Sequence, residues 1–165
     1  MTRVLVVYAS ERGGTAEIAG WIGAGLSGSG LEPDVRPAGS TKTVEGYDAV
    51  VLGGALYAGR WHREARRFAR RFSGELAARP LWLFSSGPLD HTAEAKTVGP
   101  VPGVARLGRK LGARDHATFG GRLAPDARGF LASKIAKRAS GDYRDRDRVR
   151  AWADEIAREL RTVGT

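Results

Sequence analysis

Val4-Leu5-Val6-Val7-Tyr8, followed by Ser10-Glu11-Arg12-Gly13-Gly14-Thr15, decides the fold of this chain. An unbroken apolar run rich in β-branched side chains suits a strand buried on both faces, as in a parallel sheet covered by helices. The polar turn after it carries a hydroxyl at each end and two glycines in the middle. A helix is expected over residues 15–26, with Ile18, Ile22 and Leu26 on one stripe, and Ser27-Gly28-Ser29-Gly30 ends it.

The same alternation continues outward from this unit. Asp34-Val35-Arg36 reads as a short second strand and residues 37–46 as a turn-rich connection. Ala49-Val50-Val51-Leu52 is a third strand, stopped by Gly53-Gly54. Residues 61–72 are expected to be helical, with Ala65, Phe68, Ala69 and Phe72 inward. Pro80 opens a fourth strand, Leu81-Trp82-Leu83-Phe84, closed by Ser85-Ser86-Gly87-Pro88. A long loop over residues 89–102, a short helix over 104–111 and a weak last strand over 117–119 follow. Residues 128–139 and 148–160 read as the final helices, the last with Val149, Trp152, Ile156 and Leu160 inward. This βα alternation predicts a single α/β domain over residues 1–165, a doubly wound, five-stranded parallel sheet with right-handed crossovers.

The 165 residues suffice for one ordinary domain. The chain has no cysteine, which excludes disulfides, thiol nucleophiles and iron–sulfur ligation. No apolar stretch approaches about 20 residues, the length of a membrane span, and the first apolar run is too short for a signal peptide. The expected location is cytoplasmic. The net charge of +9 is uneven: residues 1–57 hold 4 Lys or Arg and 6 Asp or Glu, whereas residues 58–165 hold 23 and 12. The basic part suits an anionic substrate or peripheral contact with an anionic membrane at the inner face of the cell membrane. Nucleic acid is not expected, because no recognition-helix pattern or interleaved aromatic stripe accompanies the charge.

In open α/β sheets the ligand lies beyond the carboxyl ends of the strands, where strand order reverses. Three loops leave those ends: residues 10–15, 53–61 and 85–89. The first combines hydroxyls, exposed backbone N–H groups and a helix N-terminus, which together cradle a phosphate. A tight turn with its N-cap at Ser10 or Gly14 is the purely structural alternative. The loop lacks the lysine of a nucleoside-triphosphate loop and the glycine spacing of a dinucleotide fingerprint.

The stretch Ser10-Glu11-Arg12-Gly13-Gly14-Thr15 after its strand resembles the phosphate loop of the flavodoxin family. Arg12 stands where simple flavodoxins have Thr or Ser. In this it is similar to the branch that contains menaquinone-dependent protoporphyrinogen oxidase, as are Gly120-Gly121-Arg122-Leu123 and Gly141-Asp142-Tyr143-Arg144-Asp145. The resemblance implies strand order 2-1-3-4-5 and non-covalent FMN. Ser10, Arg12, Gly13, Gly14 and Thr15 would hold the FMN phosphate, with a backbone N–H from Ala16.

The resemblance also makes Gly53-Gly54-Ala55-Leu56-Tyr57-Ala58-Gly59-Arg60-Trp61 the second flavin loop. Leu56, Tyr57 and Trp61 are candidates for the flavin faces, and the backbone around Gly54, Ala55, Ala58 and Gly59 for its polar edge. Ordinary packing of the loop is the alternative role for Tyr57 and Trp61. The hydroxyls of Ser85 and Ser86 and the backbone of Gly87 would reach the pyrimidine edge or ribityl chain. No aromatic residue lies between Ser85 and Pro102, which leaves one flavin face open to a substrate. His62 is read as a helix-start residue that can also touch flavin, His91 as a solvated loop residue and His116 as structural. No constellation supports a metal site or hydrolytic triad.

The function expected is that of an FMN-dependent oxidoreductase, with an anionic tetrapyrrole (protoporphyrinogen) or a quinone as substrate. Arg60, Arg63, Lys96 and Arg122 are the candidate entrance charges. The alternative is a flavodoxin-type electron carrier with a redox partner protein, for which the positive charge selects an acidic partner.

Overall fold

The computed structural model describes residues 2–10, 13–57, 59–87, 100–120 and 146–163. Strand β1 (Arg3–Ala9) leads to helix α1 (Gly14–Gly28), and β2 (Glu32–Pro37) follows with a 3₁₀ turn at Ala38–Ser40. Next come β3 (Ala49–Tyr57), β4 (Arg60–Trp61), α2 (Arg63–Arg71), α3 (Ser73–Ala77) and β5 (Leu81–Gly87). Helix α4 (Pro102–Leu111), β6 (Asp115–Gly120) and α5 (Arg146–Val163) complete the described elements. The expected helix at residues 128–139 and loop at 141–145 lie outside the described residues, as do His91, Lys96 and Arg122.

The sheet runs β2-β1-β3-β5-β6, every neighbouring pair on that path parallel, with β4 antiparallel on the end of β3. Leaving β4 aside, this is the expected order 2-1-3-4-5. The central strands β1, β3 and β5 are buried on both faces, which their continuous apolar runs dictate. Val4, Val6, Val51 and Phe84 face α1 and α5 and meet Ile18, Ile22 and Trp152. Leu5, Val7, Leu52 and Leu83 face the other way and meet Phe68, Leu76 and Val104. A doubly wound sheet therefore builds two cores, one on each face.

Two expectations change in the middle of the chain. Gly53-Gly54 do not stop β3, which continues to Tyr57 and folds back through β4, with Leu56 opposite Trp61 and Tyr57 opposite Arg60. The glycines serve packing instead: a Cβ on Gly53 would lie 2.1 Å from the Phe84 ring, and one on Gly54 2.9 Å from Ala65 Cβ. The helix expected to start at Trp61 starts at Arg63, because the His62 ring nitrogen Nδ1 accepts from the Glu64 N–H at 3.0 Å and caps it.

Candidate functional site

The carboxyl ends of β1, β3 and β5 form a shelf of small residues. Ala9 pairs with Gly54, Gly54 with Ser85, Ala55 with Ser86, and Gly87 with Gly120 on β6. These residues are all small and all buried, and their pairing sets the ends of the three strands, from which the loops leave, side by side.

Helix α1 begins at the end of β1. Its N-cap is Gly13, at φ 85° and without a side-chain cap, and a Cβ there would meet nothing within 4 Å. The first intrahelical bond runs from Glu17 N–H to the Gly13 carbonyl at 3.1 Å, so the N–H groups of Gly14, Thr15 and Ala16 lie in the first turn, ahead of any helical acceptor. Such a terminus attracts an anion through its N–H groups and its dipole. Gly14 and Thr15 are buried, so this end of the helix is fixed in the core. Ser10 immediately precedes the turn; Arg12 lies outside the described residues. The N-cap is thus Gly13, where Ser10 or Gly14 was expected for a purely structural turn.

In the second loop Leu56 is half-buried and Tyr57 is 40% exposed, the more exposed of two large apolar side chains at the surface among the described residues. The Tyr57 ring meets the His62 ring edge-on, centroids 5.9 Å apart, and the His62 N–H donates to the Ala55 carbonyl at 2.8 Å. Gly59 turns the hairpin at φ 76°; Ala58 lies outside the described residues. Of the two places expected for Trp61, ring contact or loop packing, the structure shows packing. Strand alternation turns Arg60 outward and Trp61 inward, so Trp61 is 2% exposed within the core beside Ala65 and Phe68. Its indole edge passes 3.2 Å from where a Gly54 Cβ would stand. It supports the loop from beneath and presents no open face at the shelf.

In the third loop Ser85 is also turned inward. Its Oγ lies 2.9 Å from His116 Nε2, and both residues belong to the face covered by α2 and α4. Burial holds the His116 imidazole at a pKa of about 4, against a small opposing pull from Asp115. The ring is therefore neutral near pH 7. Its Nδ1 is buried without a partner among the described residues. The cheaper tautomer places the proton on Nε2, donating to Ser85, because a bare buried acceptor costs less than an orphaned N–H. Ser86 sits on the opposite face and is also buried. A Cβ on Gly87 would make ordinary contact with Leu56 Cδ1 at 3.8 Å and Thr118 Cγ2 at 3.9 Å.

Thr118 was not singled out by sequence reasoning. It pairs with Ser85 on the last strand, and its buried Oγ1 has no partner among the described residues. Also unforeseen as a group are Arg66, Arg70 and Arg106, which join Arg60 around a cleft behind the β3–β4 hairpin. Helix spacing of four placed Arg66 and Arg70 on one face, but nothing in the sequence paired that face with α4. Among the described residues there is no cluster of metal-ligating side chains and no helix long and apolar enough to cross a membrane.

The first loop, the hairpin and the third loop thus meet along one sheet edge, with an anion-attracting helix start at one side and exposed Tyr57 further along. A flavin phosphate and ring fit this set, and no described carboxylate opposes a phosphate at the start of α1 before Glu17. The flavodoxin domain model matches residues 5–140. No curated protein matches the chain in sequence. Among solved structures, a flavodoxin from the domain Archaea superposes with TM-score 0.66 at 16% identity, over 97% of this chain and 99% of that one. Flavodoxin 2 from Bacillus cereus gives 0.61 at 22% identity, over 96% and 99%. The rubredoxin oxygen:oxidoreductase of Desulfovibrio gigas gives 0.68 at 14% identity, over 97% of this chain but 36% of that one. At such identities the likeness is one of fold. None of these matches singles out the protoporphyrinogen oxidase branch.

Proposed function

The chain belongs to the flavodoxin domain family, and we propose that it binds FMN at the carboxyl edge of its sheet and works as a flavodoxin-type electron carrier. The observation that carries this reading is the start of α1 at the end of β1, with first-turn N–H groups at Gly14, Thr15 and Ala16 beside the small-residue ends of β3 and β5. FMN, when bound, supplies one- and two-electron redox chemistry. The chain's own residues bind and orient. Gly13 to Ala16 hold the phosphate, with Ser10 and Arg12 at the loop entrance. Leu56 and Tyr57 contact the ring, and the backbone around Gly54, Ala55, Ala58 and Gly59 meets its edge. Ser86 and Gly87 approach from the third loop. Ser85 acts at one remove, tied to His116, and Trp61 fixes the hairpin.

The test is titration of flavin-free protein with FMN and with riboflavin, following flavin fluorescence. FMN is expected to bind at least about tenfold more tightly, since loss of the phosphate contacts costs more than 1.4 kcal/mol. Equal affinity would refute the phosphate cradle, and failure to hold either flavin would refute the site.

A second reading is oxidation of an anionic tetrapyrrole with a quinone acceptor at an anionic membrane surface, and its support is the surplus of Lys and Arg over residues 58–165. Bleaching of the FMN-loaded protein by protoporphyrinogen, reversed by a menaquinone analogue, would support it. No bleaching leaves the carrier.

A further inference from the structure

Behind the β3–β4 hairpin, on the face opposite α1 and α5, a cleft of about 460 Å³ opens between α2 and the start of α4. Its size lies within the range of small-molecule sites. Arg60 reaches it from β4, Arg66 and Arg70 from α2, and Arg106 from α4, and no Asp or Glu is among the described lining residues. Arg60, Arg70 and Arg106 are exposed and form no ion pair with a described residue. The carboxylate nearest in sequence, Glu64, turns toward Gly39 on the other side of α2.

The cleft is more than a solvated basic surface. Its floor is apolar: Trp61, Val104 and Leu107 line it, the first two buried. Arg66 Nε donates to the Trp61 carbonyl at 3.1 Å, which fixes that guanidinium against the floor. The first turn of α4 has no side-chain cap, and Gly103 in that turn also lines the cleft, so the positive end of the helix adds to the arginines. Like charges gathered around an apolar floor repel one another until an anion enters. Arginine, with its planar fork, matches carboxylates in bidentate pairs.

We propose that this cleft binds a small organic dianion, an apolar body carrying two carboxylates. The arginines approach from two sides, from β4 and α2 on one and from α4 on the other, which suits an acid group at each end of a flat or extended body. The apolar floor selects against inorganic anions. The lining shares Gly59 with the proposed flavin edge but no residue with the cradle at α1, so its occupation does not require flavin.

The test is calorimetric titration of the protein, flavin-free and FMN-loaded, with biphenyl dicarboxylate, its neutral diamide and inorganic phosphate. The dicarboxylate is expected to bind, with the diamide and phosphate each at least about tenfold weaker. The double variant Arg70→Gln/Arg106→Gln should weaken dicarboxylate binding about tenfold or more with FMN affinity unchanged, both side chains being exposed. No dicarboxylate binding, equal binding of the diamide, equal binding of phosphate, or an unaffected double variant would each overturn the proposal. Any of these results can arise in protein that still binds FMN, so failure here is distinct from failure of the flavin site.

Discussion

Replacing His116 with Gln should abolish most of the stability loss that burial of this imidazole imposes between neutral pH and about pH 4.5. Burial lowers the imidazole pKa from 6.5 to about 4 in the folded chain. Between those values the unfolded chain takes up a proton that the folded chain refuses. The unfolded state then binds more protons, so stability falls as pH falls through this window and levels off below it. Each pH unit of the gap is worth about 1.4 kcal/mol, which caps the effect at roughly 3 kcal/mol.

The geometry explains the refusal. Protonation would place an N–H at Nδ1, where no described acceptor waits, and would cost the imidazole its hydration. Gln can still offer a donor toward Ser85 Oγ but has no proton to gain. Urea unfolding of both proteins across the window reads the effect directly. The wild-type chain should lose about 2–3 kcal/mol, and the variant, whose stability at pH 7 is lower, should show a much flatter profile. A variant that loses as much as the wild type across the same window would refute this account of His116.

Other perturbations follow from particular contacts. Gly53→Ala sets a Cβ 2.1 Å from the Phe84 ring, which Phe119 and Trp152 hold in place; a loss of about 3 kcal/mol and a Tm drop of about 6–12 °C are expected by calorimetry. Gly87→Ala, with ordinary contacts only, should stay within about 0.5 kcal/mol of wild type in the same experiment. Gly13→Ala meets no atom but must hold φ 85°, so it should cost about 1 kcal/mol and weaken FMN in a fluorescence titration. Tyr47→Phe removes the phenol that donates to Asp34 and, with Arg36, holds that carboxyl below its ordinary 3.8. About 1 kcal/mol should be lost at pH 7 in urea unfolding, and the difference should shrink as pH falls below about 4, once the carboxylate is protonated.

The sheet was legible because its central strands are unbroken apolar runs and each is followed by a polar turn. Val4 to Val7 and Leu81 to Phe84 could sit only in a sheet covered on both sides. The hairpin at residues 55–61 was not legible, because two glycines after an apolar run signal a stop equally well. They are there to admit the Phe84 ring and the Trp61 edge, contacts that join residues distant in sequence. Ser85 shows the same limit. Its place at a strand end was readable, but the direction of its hydroxyl depends on His116, 31 residues later. His62 was closer to its expected role, because an N-cap is a local matter settled within two residues.

The hairpin also joins the two proposed sites physically. Leu56 and Tyr57 belong to the proposed flavin side, and their partners across the turn, Trp61 and Arg60, line the arginine cleft. A ladder this short has little freedom to let one strand shift alone, because Trp61 is locked in the core beneath Gly54. A ligand that repositions Arg60 therefore pulls on Tyr57 through their pairing. If FMN and a dianion influence one another by this route, each must change the other's affinity by the same factor. Where the hairpin is rigid in both states, the two sites act independently, and the FMN-loaded and flavin-free titrations give equal constants. The pairing of Tyr57 with Arg60 is thus the contact through which any coupling between the two proposed sites would run, and unequal constants in the two titrations would reveal it.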